Sequence, residues 1–245
     1  MRIKSVLLSL SAVAALSAGL AHASANLVTN GNFESTTNGT NKQLSSTVNS
    51  DANRTTLTGW TSSNGNDGGY NFVLDSSIAN TYNSAIWLKS QGNGYSASAD
   101  GVNVFASDAL YYPGTLSQTI NGLSVGSAYT LKFDYALAQQ VGFDGANNSN
   151  SWLVGFGGAS QNTSALSIAD GGFSGWKTAT MSFTATGVSQ ALSFLAQGGA
   201  PGAPPFLLLD GVSLTAAVPE PSTWGMMLGG LGLVAWLARR RARSA

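Results

Sequence analysis

The chain has 245 residues and a formal charge of zero, from 11 basic and 11 acidic side chains. The balance is uneven: between Ser24 and Val218 five basic residues (Lys42, Arg54, Lys89, Lys132, Lys177) meet ten acids, which argues against electrostatic binding to nucleic acid. There is no cysteine, and the one histidine, His22, lies in a segment read below as removable; a mature chain lacking both residues excludes the usual nucleophile–histidine relays and the His/Cys zinc sites.

Residues 1–23 have the three parts of an export signal: Arg2 and Lys4, an apolar run over 6–20, and the small–x–small site Ala21-His22-Ala23. An uncleaved anchor is the alternative, but the apolar run is short for a membrane span. The folded region is then 24–217, a single domain long enough for a sizeable core. With no disulfide, its stability must come from apolar burial and the hydrogen-bonded ladder of a sheet, with or without a bound ion.

No stretch of helix length in that region shows a 3.6-residue apolar period. Short alternating runs recur instead, separated by Gly, Asn, Ser and Asp. Residues 35–56 are almost wholly polar and read as a long surface loop or a partly disordered segment. Strands are expected at 72–74, 85–88, 116–120, 129–137 and 152–156. In 129–137 every odd position is large and apolar, while Thr130, Lys132 and Asp134 face the other way. Met181, Phe183 and Ala185 alternate in the same manner, as do Leu192, Phe194 and Ala196. Residues 206–209 are continuously apolar, as in a strand buried on both faces, and Asp210-Gly211 separates them from a further run at 212–214. Residues 198–205, rich in Gly and Pro, read as a turn before this last strand and not as a domain linker. Strands of this length and spacing predict an all-β, two-sheet sandwich.

Three segments carry a resemblance. They are Asn26-Leu-Val-Thr-Asn30-Gly31-Asn32-Phe33-Glu34, followed at a distance by Gly59-Trp60; residues 116–133, with Gly122, Gly126, Tyr129, Leu131 and Phe133; and Phe206-Leu-Leu-Leu209-Asp210-Gly-Val212-Ser-Leu214. In this order they resemble the galactose-binding-like jelly roll found in many carbohydrate-binding modules. The resemblance covers most of 26–215 and implies the fold; because one fold hosts many activities, it implies less about function. It further implies that Glu34 and Asp210 lie side by side near the two ends of the domain, where family members commonly hold a structural calcium. Carboxylate and carbonyl oxygens suit that ion, and Asn30 and Asn32 would add ligands. The alternative is that both carboxylates serve only as acceptors for nearby backbone amides.

A sugar presents C–H and O–H surfaces together, so aromatic faces beside amides and carboxylates are the side chains to look for. Trp60, Tyr70, Trp87, Tyr95, Tyr111, Tyr112 and Trp152 are available. Trp60, Trp87, Trp152 and Trp176 fit core positions in strand-like contexts. Tyr111 and Tyr112, ahead of Pro113-Gly114, and Tyr70, closing the loop from Gly65, are expected at the surface, since adjacent aromatics cannot both face inward. Asp100, Asp108, Asp134, Asp144 and Asp170 are acids in the generic sense that glycoside hydrolysis requires a pair; Asp144-Gly145 and Asp170-Gly171 are accounted for by turn chemistry. No catalytic residue is assigned.

The tail, 218–245, has three parts in order: Pro219-Glu220-Pro221, an uncharged stretch over 222–238, and Arg239, Arg240, Arg241 and Arg243. The uncharged stretch reads as a single transmembrane helix at the short end of bilayer-spanning length, and the arginines favour a cytoplasmic C-terminus. This arrangement resembles the PEP-CTERM sorting signal. The resemblance implies recognition of Pro219-Glu220-Pro221 by an exosortase-type processing enzyme, in Gram-negative bacteria that also make exopolysaccharide. The prolines are expected to hold that segment extended and out of the helix. Together these readings describe an exported, non-catalytic surface or matrix protein whose sandwich binds polysaccharide. A purely structural matrix component and a polysaccharide-acting enzyme with a carboxylate pair are the alternatives.

Overall fold

Strands with apolar residues at every second position require one covering layer; a strand that is apolar at every position requires two. Both kinds are present, and they set the architecture. The computed structural model describes residues 25–48, 51–65, 67–81, 88, 93–198, 205–217 and 221–241. The export signal, Trp87, Pro219, Glu220, Arg243 and all of the expected 85–88 strand except Leu88 lie outside the described residues.

Thirteen strands and one helix are described: β1 (Lys42–Leu44), β2 (Arg54–Thr55), β3 (Thr61–Ser63), β4 (Asn71–Asp75), β5 (Asn103–Asp108), β6 (Thr115–Asn121), β7 (Ala128–Gln139), β8 (Asn147–Phe156), β9 (Ala159–Asn162), β10 (Leu166–Ile168), β11 (Lys177–Thr184), β12 (Ser189–Gln197), β13 (Pro205–Ala216) and α1 (Pro221–Arg241). A seven-stranded sheet has the order β11-β7-β13-β5-β4-β1-β2, and a six-stranded sheet has β10-β8-β12-β6-β3 with β9 paired to β8. The fold is the all-β jelly-roll sandwich expected from the sequence.

The inner faces of the two sheets enclose an aromatic-rich core. Phe33, Trp60, Phe105, Phe133, Trp152 and Phe194 are all buried, with neighbouring ring centroids 5.2–6.3 Å apart. The Trp152 indole is completely buried and donates its N–H to the Leu208 carbonyl at 3.2 Å, which satisfies its one polar atom. The outer face of the seven-stranded sheet is covered as well. Phe72, Leu74, Val104, Ala106, Phe206 and Leu208 lie beneath Tyr70, Tyr95, Phe173 and Trp176. Trp176 therefore caps this second layer instead of entering the sandwich core, and its indole donates to the Ser96 carbonyl at 3.0 Å.

Two expectations about the strands change. The Asp210-Gly211 pair does not end a strand; β13 runs on through a register shift between Asp210 and Ser213. Gly211 takes the left-handed conformation at φ 60°, and the extra residue of the bulge reverses the alternation. Leu207 and Leu209 before it, and Val212 and Leu214 after it, consequently all face the inter-sheet core. The described part of 35–56 is also more ordered than its polarity suggests. Leu44 is a buried anchor, β1 pairs with β4 and β2 with β1, and Asn38 donates to the Arg54 carbonyl at 2.9 Å.

The N-terminal segment is clamped from both sheets. Gln118, on β6, accepts from Thr29 N–H at 2.8 Å and donates to the carbonyls of Thr29 and Gly59 at 2.8 and 2.9 Å. From β13, the Leu214 carbonyl accepts from Leu27 N–H at 2.8 Å, and Val212 N–H donates to the Gly31 carbonyl at 2.9 Å. Gly31 is obligatory there, because a Cβ would stand 2.0 Å from the Val212 carbonyl oxygen. A Gly31→Ala chain must part these backbones, and urea unfolding is expected to show a loss of about 1–3 kcal/mol, as for other overpacked sites.

The tail forms α1, 21 residues long. Pro221 opens this helix instead of staying outside it, as suits proline at a first helical position where its missing N–H has no partner to lose. Met227, Leu228, Leu231, Leu233, Val234 and Trp236 are all exposed. Among the described residues no helix is long and apolar enough to cross a membrane, which differs from the expected span; Gly225, Gly229, Gly230 and Gly232 fill the uncharged stretch with residues that add almost no apolar surface.

Candidate functional site

At one end of the sandwich, the loop between β5 and β6 carries the two adjacent tyrosines. Tyr111 is 63% and Tyr112 60% exposed. Tyr70 is half-buried beneath them: its ring lies edge-on to Tyr111 at 5.1 Å, stacks on Phe206 at 6.2 Å and meets Phe72 at 4.7 Å. Burial, then the nearby Asp108 carboxylate and Tyr111, push its hydroxyl above the usual tyrosine range. The three rings thus descend from solvent into the outer apolar layer.

The loop is held from below by polar groups. Asp108 is buried, and its Oδ1 accepts the amides of Leu110 and Tyr111 at 2.8 and 2.9 Å. Its Oδ2 accepts from the Gln140 side chain at 2.7 Å. Burial raises the Asp108 carboxyl above its ordinary range, against the lowering effect of these three donors. Next to it, buried Asn71 accepts from the Ser107 hydroxyl and donates to Ser62 Oγ and to the Gly114 carbonyl, the last two at 2.8 Å. Asn64 donates to the Pro113 carbonyl at 2.8 Å, and Tyr70 N–H donates to the Tyr112 carbonyl at 2.8 Å. Gly69, at φ 76°, packs so closely on Gly114 that a Cβ would sit 2.7 Å from its Cα. Tyr112 itself has φ 55°. The tyrosines are therefore exposed on a backbone held in place from below. Leu110, Val141 and Phe143 are also exposed, and they follow the ends of β5 and β7 that flank the start of β13.

A second locus lies along the middle of β13. Glu34 Oε1 accepts the amides of Val102 and Asn103 at 2.6 and 2.8 Å. Asp210 is completely buried; Oδ1 accepts from Gly211 N–H at 2.8 Å and Oδ2 accepts a short hydrogen bond from the Ser98 hydroxyl. Asp134 stands opposite Asp210 on β7, and a Cβ on Gly211 would lie 3.0 Å from Asp100 Oδ2. A cavity of about 590 Å³ opens here, lined by Asn30, Asn32, Asp100, Lys132, Asp134 and Val212 among others. The sequence-derived pair is thus in one neighbourhood, joined by Ser98 and Asp100, which sequence reasoning did not place there. Both carboxylates accept amide donors, as the alternative reading held. The Asn30 side chain is committed to Ser35 and the Thr58 carbonyl. Among the described residues no group of three or more His, Cys, Asp or Glu side chains is arranged to hold a metal.

Burial, then repulsion from Asp100 and Glu34 against the two donors, raises the Asp210 carboxyl from 3.8 to about 7. Between those values the folded chain keeps a proton that the unfolded chain has released, so stability falls as pH rises through the window and levels off above it. Thermal unfolding at low salt and without divalent cations is expected to show a melting temperature several degrees lower at pH 8 than at pH 5. In Asp210→Asn the profile flattens over that range.

In the tail, Arg239 and Arg240 are exposed, and the Arg240 guanidinium sits 5.4 Å from the centre of the Trp236 ring. Residues 217–242 match the family model described as the PEP-CTERM protein-sorting motif; the chain carries that signal, and the motif marks an exported protein sorted to the cell envelope. A comparison with curated proteins finds no match. Solved structures that the chain resembles include TmCBM61 in complex with β-1,4-galactotriose, at 14% identity and TM-score 0.41, covering 79% of this chain and 100% of that one. Another is the CBM22-1 xylan-binding domain of Paenibacillus barcinonensis Xyn10C, at 12% identity and TM-score 0.37, covering 82% and 100%. A third is the N-terminal cellulose-binding domain of Cellulomonas fimi β-1,4-glucanase C, at 20% identity and TM-score 0.29, covering 48% and 80%.

Proposed function

We propose that this is an exported, non-catalytic polysaccharide-binding protein whose binding face is the tyrosine end of its sandwich. The observation that supports this reading is the exposed, rigidly held Tyr111–Tyr112 pair, with Tyr70 beneath it. Two exposed rings on a fixed backbone offer C–H stacking surface, and the amides and carboxylates around them offer hydrogen-bonding groups. The excess of acids over bases between Ser24 and Val218 disfavours an anionic glycan and points to a neutral one.

In the same proposal, residues 1–23 are removed on export, 24–217 form the displayed domain, and 218–245 serve sorting. An exosortase-type enzyme reads Pro219, Glu220 and Pro221. The α1 helix associates with the inner membrane, and processing passes the domain to the cell surface or an exopolysaccharide matrix. The exposed apolar side chains of α1 suit lipid better than water.

The test is a glycan-binding screen of the secreted protein. Binding to a neutral polysaccharide is expected, and Tyr111→Ala with Tyr112→Ala should weaken it by about tenfold or more, while leaving stability within about 0.5 kcal/mol because both rings are exposed. Unimpaired binding by the double variant would sink the reading; no binding to any glycan, with retention in the matrix, would favour the purely structural role.

Calcium belongs to this proposal as a structural ion held by Glu34 and Asp210, with oxygens from Asn32 and the neighbouring backbone. A divalent cation beside Asp210 would stabilise its charged form and supply the counter-charge its burial lacks. Calcium at about 100-fold over its dissociation constant should add about 2.7 kcal/mol of stability, seen as a raised melting temperature at pH 8. That gain is expected to vanish in the Glu34→Gln, Asp210→Asn chain; an unchanged melting temperature in the original chain would remove calcium from the account.

A further inference from the structure

The open edges of the two sheets differ in length. The seven-stranded sheet ends in β2, of two residues, and in β11, of eight. In the six-stranded sheet the edge strands β3, β9 and β10 have three, four and three residues. An exposed edge presents unpaired N–H and C=O groups, and proteins usually blunt it with charge, proline, a bulge or shortness. β11 has no proline and no bulge, and it is not short. Its sequence, Lys-Thr-Ala-Thr-Met-Ser-Phe-Thr, has one charge, at its first position, and its register with β7 is unbroken over all eight residues.

Hydrogen bonds at its ends fix which groups face outward. Ala185 N–H, just beyond β11, donates to the Ser127 carbonyl, and Leu137 of β7 exchanges bonds with Ser174 on the β11 side. The odd-numbered residues of β11 therefore bond to β7, and their side chains Ala179, Met181 and Phe183 pack into the core. The even-numbered residues, Thr178, Thr180, Ser182 and Thr184, turn their backbone groups away from the sheet. The Ser182 carbonyl confirms the direction, for it accepts the Gln161 side chain of β9 at 2.8 Å.

This edge is complementary to itself. Paired antiparallel about a two-fold axis at Met181, Thr180 faces Ser182 of the second copy and Thr178 faces Thr184, so each outward N–H meets an outward carbonyl. Hydroxyl side chains then line one face of the seam. Met181 meets Met181, and Ala179 meets Phe183, on the other face, and Lys177 falls opposite Ala185, away from any like charge. We propose that β11 pairs in this way with β11 of a second copy of the chain, joining two seven-stranded sheets into one. Gln161 acts as a guard, because its amide competes for the Ser182 carbonyl that the second copy would use.

The absence of cysteine allows a direct test in the full-length chain, extracted in mild detergent. Cα atoms of directly opposed residues in an antiparallel pair lie about 4.5–5.5 Å apart, within reach of a disulfide. Under mild oxidation, a Thr180→Cys chain mixed with a Ser182→Cys chain should give a cross-linked dimer on non-reducing electrophoresis, and either chain alone should not. Met181→Cys should cross-link by itself. Thr180→Pro, which removes an outward N–H without touching the β7 ladder, should abolish the Met181→Cys dimer, and Gln161→Ala should increase it. The proposal is overturned if the mixed chains, with tryptophan fluorescence unchanged, stay monomeric. It is overturned equally if Thr180→Cys alone cross-links as well as the mixture, or if the proline leaves the dimer intact.

Discussion

The structure depends on one strand being wrapped from every side. β13 lies between β7 and β5 and is buried on both faces from Phe206 to Leu209. Beyond its bulge it holds the N-terminal segment of the domain through Leu27 and Gly31. In a protein without disulfides, this strand links the N-terminal segment, the seven-stranded sheet and the C-terminal exit. Burying four consecutive apolar side chains requires material on both sides, and the second layer of Phe173, Trp176 and Tyr95 exists to cover the outer one. The backbone contact at Gly31 closes the arrangement so tightly that no side chain fits there.

Both candidate loci follow from this strand. Its first residues stand beside Asp108 and Gln139, where the ends of β5 and β7 place the tyrosine loop and its buried support. Just before its bulge, on the face that Phe206 and Leu208 share, Asp210 is buried against the 98–103 segment and near Glu34. One locus is an exposed aromatic surface on a stiff polar base. The other is a buried carboxyl group, short of counter-charge, beside a cavity. They have opposite physical demands: the first needs exposure with rigidity, the second needs burial with a counter-charge.

Much of this was legible in the residues themselves. Alternation at 129–137 and the continuous run at 206–209 identify the central strands because their apolar faces follow local periodicity. Neighbouring Tyr111 and Tyr112 read as exposed for the same geometric reason. Among the missed strands, β5 does not alternate: all six of its residues are buried, including Asn103, Ser107 and Asp108. Its polar side chains are matched by partners far along the chain, such as Asn71 for Ser107 and Gln140 for Asp108. No local pattern reports such matches. Ser98 reaches Asp210 across 112 residues, so only the closed fold brings them together. The β1 and β2 strands are hidden in a polar stretch because a single apolar residue, Leu44, anchors them. The bulge was missed because Asp-Gly signals a chain reversal more often than an extra residue in a continuing strand.

The direction of β13 has a mechanical consequence. Its first residue borders the tyrosine loop, and its last, Ala216, comes directly before the sorting tail. Twelve extended residues span about 40 Å. Whatever holds the tail therefore grips the domain at one pole, with the aromatic surface at the other. A molecule tethered there would carry its tyrosines at the end remote from the tether, like the tip of a short mast.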